Sequence, residues 1–374
     1  MPRLKRYKST SAFQSEELRE QTTGSVKDLE TIQKPTQARM GIGRFHFSDR
    51  YSVFDWGEMP DQIEGKGQAL CLMGAYCFEK LEESGTKSHY RGLVDQDGKV
   101  VKFRDLRQPS STMEVSLVNI YKPETQIVSE RLAYDYSFYT PKLRNCLIPL
   151  EIIYRNGLPE GSSVFKRLKQ VKTSLEDLGL NHHPKPGEHF SKPLFDVSTK
   201  LERTDRYVAW EEAKRIAGLT TLELTAVKNI LSKVNDTITE IACRANLQNE
   251  DGKIELAFDE ERRLMVVDVV GTLDECRFTF EGFHVSKEIA RQFYKKTRWF
   301  NDVEEAKKIA EAEGVTDWKA LCTSQPPRLD SKLKTFISQM YMAAANELTI
   351  RKFFNVPPLA RIVAEYREKE NRNA

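Results

Sequence analysis

The sequence lacks the two common phosphate-cradling signatures: it has no GxxxxGK[ST] and no GxGxxG. "GIGRF" (Gly41 to Phe45) is too short and lacks the strand-then-helix setting. Any nucleotide must therefore be held between lobes and not in a P-loop. Cysteine is sparse, with six residues, none in a CxxC pair and none at a zinc-like spacing. They read as small buried hydrophobes of a reducing compartment. Charge of one sign is also missing. The 58 basic residues nearly balance 55 acidic ones, for a net +3, which argues against a nucleic-acid partner but leaves room for a local basic pocket. No apolar run is long enough for a membrane span. "MPRLKRYKSTSAF" is basic but has no apolar signal core, so a flexible arm over 1–21 and a cytoplasmic location are expected. There is no internal repeat.

What is present suits a large α+β protein. The chain has 374 residues, enough for two lobes. "RFHFSDRYSVFD" (Arg44 to Asp55) alternates like a strand. Lys66 to Glu83 reads as a helix with Leu70, Met73, Cys77, Phe78 and Leu81 on one face and Gly85 closing it. Asp97-Gly98 between apolar runs predicts a hairpin, and "EVSLVNIY" another strand. These place a β-rich lobe at 22–145. A second α+β lobe is expected over 146–300, and a helical extension packed on it over 301–374. "NHHPKPGEHFSKPLFDVSTK" reads as a long loop, its histidines solvated. Thr221 to Ala245 is a clear helix. In the extension, Leu333, Phe336, Ile337, Met340, Tyr341, Ala344 and Leu348 form the strongest apolar face.

Two strand ends carry unusual polar chemistry. In "EIIYRNGLPEGSSVFKR" a carboxylate-bearing strand exits through Arg155, Asn156 and a Gly-Ser-Ser turn, as an anion site would. In "GKIELAFDEERRLMVVDVVGTLDECRF" two alternating runs flank "DEER". Pairing Phe258 with Arg263, or Asp259 with Arg262, gives one register. It puts Ile254, Leu256, Phe258, Met265, Val267 and Val269 on a core face. Lys253 then lies opposite Asp268, with Glu255 the diagonal neighbour of Asp268. A solvated face with a salt bridge is the bland reading; a Mg²⁺ site is the functional one, because hard cations take carboxylates together with phosphate oxygens. Each acid, Glu151 or Asp268, is followed by an arginine, Arg155 or Arg277, whose planar fork suits phosphate.

Taken in order, these segments resemble the phosphoribosylaminoimidazole-succinocarboxamide synthase (SAICAR synthetase) family. "GSVKDLE", "SDRYSVFD", "IEGKGQAL", "LEIIYRN…GSSVFKR", "KPLFDVSTKLERTDRYV", "DGKIELAF" and "DVVGTLDECRF" are similar to its motifs over roughly 24 to 300. Ser25 stands where the family has a lysine, Ala257 replaces a glycine, Leu273 a proline, and Glu275-Cys276 a serine pair beside the substrate phosphate. A glutamate there repels phosphate unless it points away.

The resemblance implies a two-lobed fold with ATP between the lobes. The implied reaction condenses carboxyaminoimidazole ribonucleotide with L-aspartate through an acyl phosphate, using ATP and Mg²⁺. A paralogous amide ligase with another carboxylate or amine is the alternative, and a non-catalytic binding protein a third. The implied catalytic residues are Lys253, Asp268 and Lys200. Lys27, Glu151 and Glu255 go with the nucleotide, and Glu255 and Asp268 with the metal. Arg155, Ser162, Asp205, Asp55, Asp274 and Arg277 go with the ribonucleotide substrate. For Asp205 a helix N-cap before "RYVAWEEAKRIAG" is the bland reading. A monomer and a homo-oligomer both stay open.

Overall fold

Alternation in the first lobe becomes an antiparallel sheet. In this computed structural model, residues 20–128, 131–170, 173–315 and 317–373 are described. The expected arm lies outside them apart from Glu20 and Gln21, which already belong to β1 (Glu20–Thr23). The sheet continues with β2 (Lys27–Gln33) and β3 (Gly41–Phe47). After α1 (Lys66–Glu83) come β4 (Tyr90–Val94), β5 (Val100–Val101) and β6 (Thr112–Leu117). The spatial order is β1-β2-β3-β6-β4-β5. The Asp97-Gly98 turn joins β4 to β5 as expected, with Gly98 at φ 76°. Helix α1 starts and stops where its periodicity says, yet it is buried almost all round. It packs beneath this sheet and beneath the C-terminal helices.

A two-stranded ribbon, β7 (Glu124–Val128) with β8 (Arg131–Asp135), precedes the second lobe. The second sheet is built from β9 (Cys146–Leu147), β10 (Leu150–Leu158), and, beyond α2 (Ser163–Lys169), β11 (Glu188–Thr199). Next come α3 (Trp210–Ile216) and α4 (Thr221–Arg244), the latter opened by a Thr220/Glu223 capping box. Then follow β12 (Gln248–Phe258), β13 (Leu264–Val267), β14 (Cys276–Phe280) and β15 (Phe283–His284). The path is β11-β10-β12-β14-β15, with β9 and β13 on the far end of β12. Four helices close the chain: α5 (Glu288–Lys295), α6 (Arg298–Glu313), α7 (Ser331–Leu348) and α8 (Leu359–Asn373).

Three expectations are corrected. The stretch read as a loop through Thr199 is strand β11 from Glu188 onward; it tolerates Pro193 because it is an edge strand. The hairpin register is one residue off. Phe258 pairs with Leu264 and Glu255 with Val267, so Met265 and Val267 share a face with Glu255 and Ala257. The cause is the turn. Asp259 and Arg263 close a three-residue loop whose last member, Arg262, is left-handed at φ 61°. The Asp259 carboxylate accepts from the Glu261 and Arg263 amides and fixes it. Finally, α7 packs on α1 of the first lobe as well as on α4, and does not lie on the second lobe alone. The seven residues of its expected apolar face are all buried.

The two sheets are stitched together at their edges. His89 N donates to the Val266 carbonyl at 3.0 Å and Val266 N to the Lys87 carbonyl at 2.9 Å. One large apolar core runs beneath both.

Candidate active site

The period-2 geometry of the second sheet gathers the charged residues. Arg155 faces Asp251, Ile153 faces Lys253, and Asp251 faces Arg277, while Asp196 of β11 lies opposite Ile153. One sheet face therefore carries Glu151, Arg155, Asp196, Asp251, Lys253, Glu255 and Arg277. The other carries Ile152, Tyr154, Ile254, Leu256 and Phe278, all buried in the core.

At one end of the polar face, lysines and carboxylates alternate. Lys27 Nζ lies 2.8 Å from Asp268 Oδ1. Lys200 Nζ lies 2.5 Å from Glu255 Oε1 and 3.9 Å from Glu151 Oε1. Lys253 Nζ lies 2.8 Å from Glu151 Oε1 and 3.6 Å from Glu275 Oε2. Asp268 reaches this group although its strand register does not bring it there. It sits just past β13 at φ 64°, a conformation L side chains rarely adopt. The His89 ring, kept neutral because burial lowers its pKa to about 4, donates from Nε2 to the Asp268 carbonyl at 3.0 Å. Burial raises the Asp268 carboxyl, but Lys27 and Lys200 more than offset it and hold it low. Burial, then the charge of Asp268, pushes Glu255 up. The lysines stay protonated: burial opposes this, and the surrounding carboxylates outweigh it.

Further along the face lies an arginine cluster. Arg155 is 2 % exposed and bridges Asp196 at 3.1 Å and Asp251 at 3.2 Å. Arg277 Nε donates to Asp251 at 2.8 Å. Arg167 pairs with Asp196 and stacks 3.7 Å from the Tyr207 ring. Three guanidinium groups thus share two carboxylates. Arg155 Nε and Arg167 Nε are buried without a protein partner. Ser162 caps α2 by accepting from Val164 N at 3.5 Å, and Ser163 Oγ lies 3.0 Å from the Tyr207 hydroxyl. Arg155 sits behind Arg277, which is the more accessible of the two.

Of the remaining expected residues, Asp205 and Asp55 lie on the rim and Asp274 lies inside. Asp205 is not a helix cap, since α3 starts at Trp210 behind Ala209. Its side chain is exposed at the mouth of the site, where desolvation by neighbouring groups, Glu151 and Asp55 raise its carboxyl to about 6. Asp55 pairs with Lys307 at 2.9 Å. Asp274 points inward: Lys66 Nζ reaches one oxygen at 2.8 Å and the Tyr341 hydroxyl the other at 2.6 Å. Burial raises the Asp274 carboxyl, but Lys66 and Lys287 bring it down to about 2. The sequence reading missed Asp196, Asp251, Lys66, Lys287 and Arg291. Alternation marks Asp251 as a neighbour of Lys253 and Glu255, and Lys287 and Arg291 are one helical turn apart. Lys66 is the lysine of "IEGKGQAL", a signal that was there to be read. Burial, with Arg291 beside it, lowers the pKa of Lys287.

Among the described residues, no group of three or more His, Cys, Asp or Glu side chains could hold a metal. The metal expectation therefore rests on two carboxylates, Glu255 and Asp268. Next to Glu255, on the same hairpin face, a small apolar cluster of Leu147, Ala257, Met265 and Val267 packs with Met40, Val118 and Leu201.

The family model for SAICAR synthetase matches residues 21–312. The chain belongs to the SAICAR synthetase family. A provisionally named phosphoribosylaminoimidazole-succinocarboxamide synthase of Archaeoglobus fulgidus is 47% identical over 345 residues, 92% of this chain and 99% of its own. The synthase of Thermoplasma volcanium is 30% identical over 343 residues, covering 89% and 99%. Among solved structures, the Saccharomyces cerevisiae SAICAR synthase complexed with SAICAR superposes with a TM-score of 0.61 at 18% identity, covering 92% of this chain and 99% of that one. A type-2 SAICAR synthetase in complex with ADP gives 0.51 at 18%, covering 83% and 100%.

Within this family the departures become intelligible. Glu275 turns toward Lys253 at the lysine–carboxylate end, and the neighbouring Cys276 faces the core against the Tyr154 hydroxyl at 3.4 Å. Leu273 is wholly buried. The SAICAR synthetase match ends at residue 312, so α7 and α8 lie beyond it.

Proposed function

We infer that this chain is an ATP-dependent carbon–nitrogen ligase of purine biosynthesis. It condenses carboxyaminoimidazole ribonucleotide with L-aspartate, yielding SAICAR, ADP and phosphate. The observation that carries the reading is one sheet face with a lysine–carboxylate cluster at one end and an arginine cluster along it. The relatives described above, one solved with SAICAR and another with ADP, support it. Nothing found favours the paralogous ligase.

Each end of the face has a role in this reading. Lys27, Lys200 and Lys253 neutralise the ATP phosphates and the substrate carboxylate, which is what phosphoryl transfer asks of a protein. Glu255 and Asp268 fit Mg²⁺: a buried and a half-buried carboxylate, with the Glu255 pKa raised by burial and then by the charge of Asp268, suit a cation completed by phosphate oxygens and water. Bound there, Mg²⁺ would supply charge neutralisation to the phosphates. Glu151 orients Lys253 and Lys200. The partly buried Met40, Val118 and Leu201, packed on the closed cluster around Met265, offer an apolar surface to the adenine ring. Arg277, Ser162 and, from behind, Arg155 receive the ribonucleotide phosphate. Asp205, Asp55 and Asp274 line or brace the substrate side.

The chemistry runs in two steps. A substrate carboxylate oxygen attacks the γ-phosphorus of ATP and ADP leaves. The aspartate amine then attacks the acyl phosphate carbon and phosphate leaves. A cytoplasmic location and small-molecule partners, with no nucleic acid, complete the reading; no described helix is long and apolar enough to cross a membrane. The test is ADP release with each substrate omitted in turn. Release is expected only with ATP, the ribonucleotide and L-aspartate together. Equal release without L-aspartate or with another amine would overturn the assignment.

A further inference from the structure

Phe54 and Asp55 are consecutive non-glycine residues with φ of 56° and 62°. Two left-handed residues in a row persist only where the surroundings hold them. The surroundings here come from α6, which carries no motif of the family resemblance. Lys307 Nζ donates to the Phe54 carbonyl at 3.0 Å and lies 2.9 Å from Asp55 Oδ2. The same ammonium sits 4.8 Å from the centre of the Trp318 ring. The Phe54 ring packs on Phe300 at 4.7 Å and Trp299 at 6.2 Å. One lysine thus ties down the backbone and the side chain of the same turn. The Asp55 side chain is otherwise 85 % exposed. Arg291 of α5 and Lys287 just before it bring positive charge near it, and Asp205 feels its charge from the loop before α3.

We propose that Lys307 is a positioning residue for the ligase reaction: it holds the strained Phe54–Asp55 turn so that Asp55 presents an ionised carboxylate to the amine-bearing ring of the ribonucleotide. The proposal rests on the function inferred above. An unstrained turn would move the carboxylate, and a free carboxylate on a mobile turn would bind the ring more weakly.

Lys307→Met keeps an aliphatic stem over Trp318 and removes the ammonium. It is expected to raise KM for the ribonucleotide about 10- to 100-fold while KM for ATP stays at the wild-type value. Lys307→Arg should recover most of the loss. Lys319 also lies over Trp318, at 5.9 Å, and serves as control: Lys319→Met should behave as wild type. Adding Lys307→Met to Asp55→Asn should cost little more than Asp55→Asn alone. The acid limb of kcat/KM should move to higher pH in Lys307→Met, because Asp55 loses its nearest cation. Additive losses, an unchanged ribonucleotide KM, or an equal rise in the ATP KM would overturn the proposal. Limited chymotrypsin digestion reads the clamp without activity. Lys307→Met should be cut faster within 53–57, and equal rates would refute the clamp even if the wild type proved to be a different ligase.

Discussion

Asp268 combines a rare backbone conformation with a half-buried negative charge set among lysines. Such strain, about 1–3 kcal/mol, survives where the surroundings over-determine it and collects at working sites. Asparagine tolerates the left-handed region better than most residues. Asp268→Asn should therefore keep the fold while lowering ATP-dependent turnover by about 100-fold or more. Full activity in a folded variant would remove Asp268 from the metal assignment. Asp205 gives a second test at this scale. Its folded pKa, raised to about 6, exceeds the unfolded value, so ionising it costs stability. The cost is absent below the unfolded pKa and complete above about pH 6. Because solvent screens the exposed Asp205, Asp205→Asn should raise the thermal midpoint only modestly at pH 8, and less at pH 4.5. An equal shift at both would show that desolvation in the cleft is not the cause. Arg277→Ala should mainly weaken ribonucleotide binding, seen by titration calorimetry, since Arg155 remains to pair Asp251.

At the scale of elements, helices were the most legible. The spacing of apolar residues located α1 and α4 within a residue, because a helix declares itself in its own periodicity. Strand β11 was hidden by Pro193 and by the Pro- and Gly-rich stretch before it; an edge position accommodates Pro193. The β12–β13 hairpin shows what periodicity leaves out. Both runs alternate, but the register depends on the number of residues in the turn, and a one-residue difference flips a whole strand. The extra residue is Arg262, left-handed and bound to Glu223 and to the Gly218 carbonyl. Arg262→Ala and Arg262→Gly lose the same side-chain bonds. Glycine should nevertheless be the more stable by about 1 kcal/mol in urea unfolding, because it enters the left-handed region freely. An alanine variant as stable as the glycine one would contradict the turn assignment.

Across the whole molecule, the site is assembled from both sheets and from helices distant in sequence. Lys27 comes from the first sheet, Glu151 and Glu255 from the second, and Lys200 and Asp268 from just beyond two strand ends. Residues carried by alternation or by motif resemblance could be read in advance. Lys66 lies in such a motif, but its meeting with Tyr341 could not be read, because nothing local links a helix start to a helix 275 residues later. Their meeting at Asp274 ties α7 to the turn that carries Glu275 and Arg277. The Ser338 hydroxyl adds a 2.7 Å bond to the Glu64 carbonyl. Tyr341→Phe should cost about 2 kcal/mol, as expected for a buried hydrogen bond to a carboxylate. A loss below a few tenths would mean that α7 merely covers α1.

The central claim is that the substrate carboxylate is activated as an acyl phosphate on this sheet face. Oxygen-18 in the carboxylate of the ribonucleotide tests it directly. During turnover one labelled oxygen should appear in each phosphate released, because the carboxylate oxygen that attacks ATP departs with the phosphate. Phosphate free of the label, with the amide product still formed, would contradict the account.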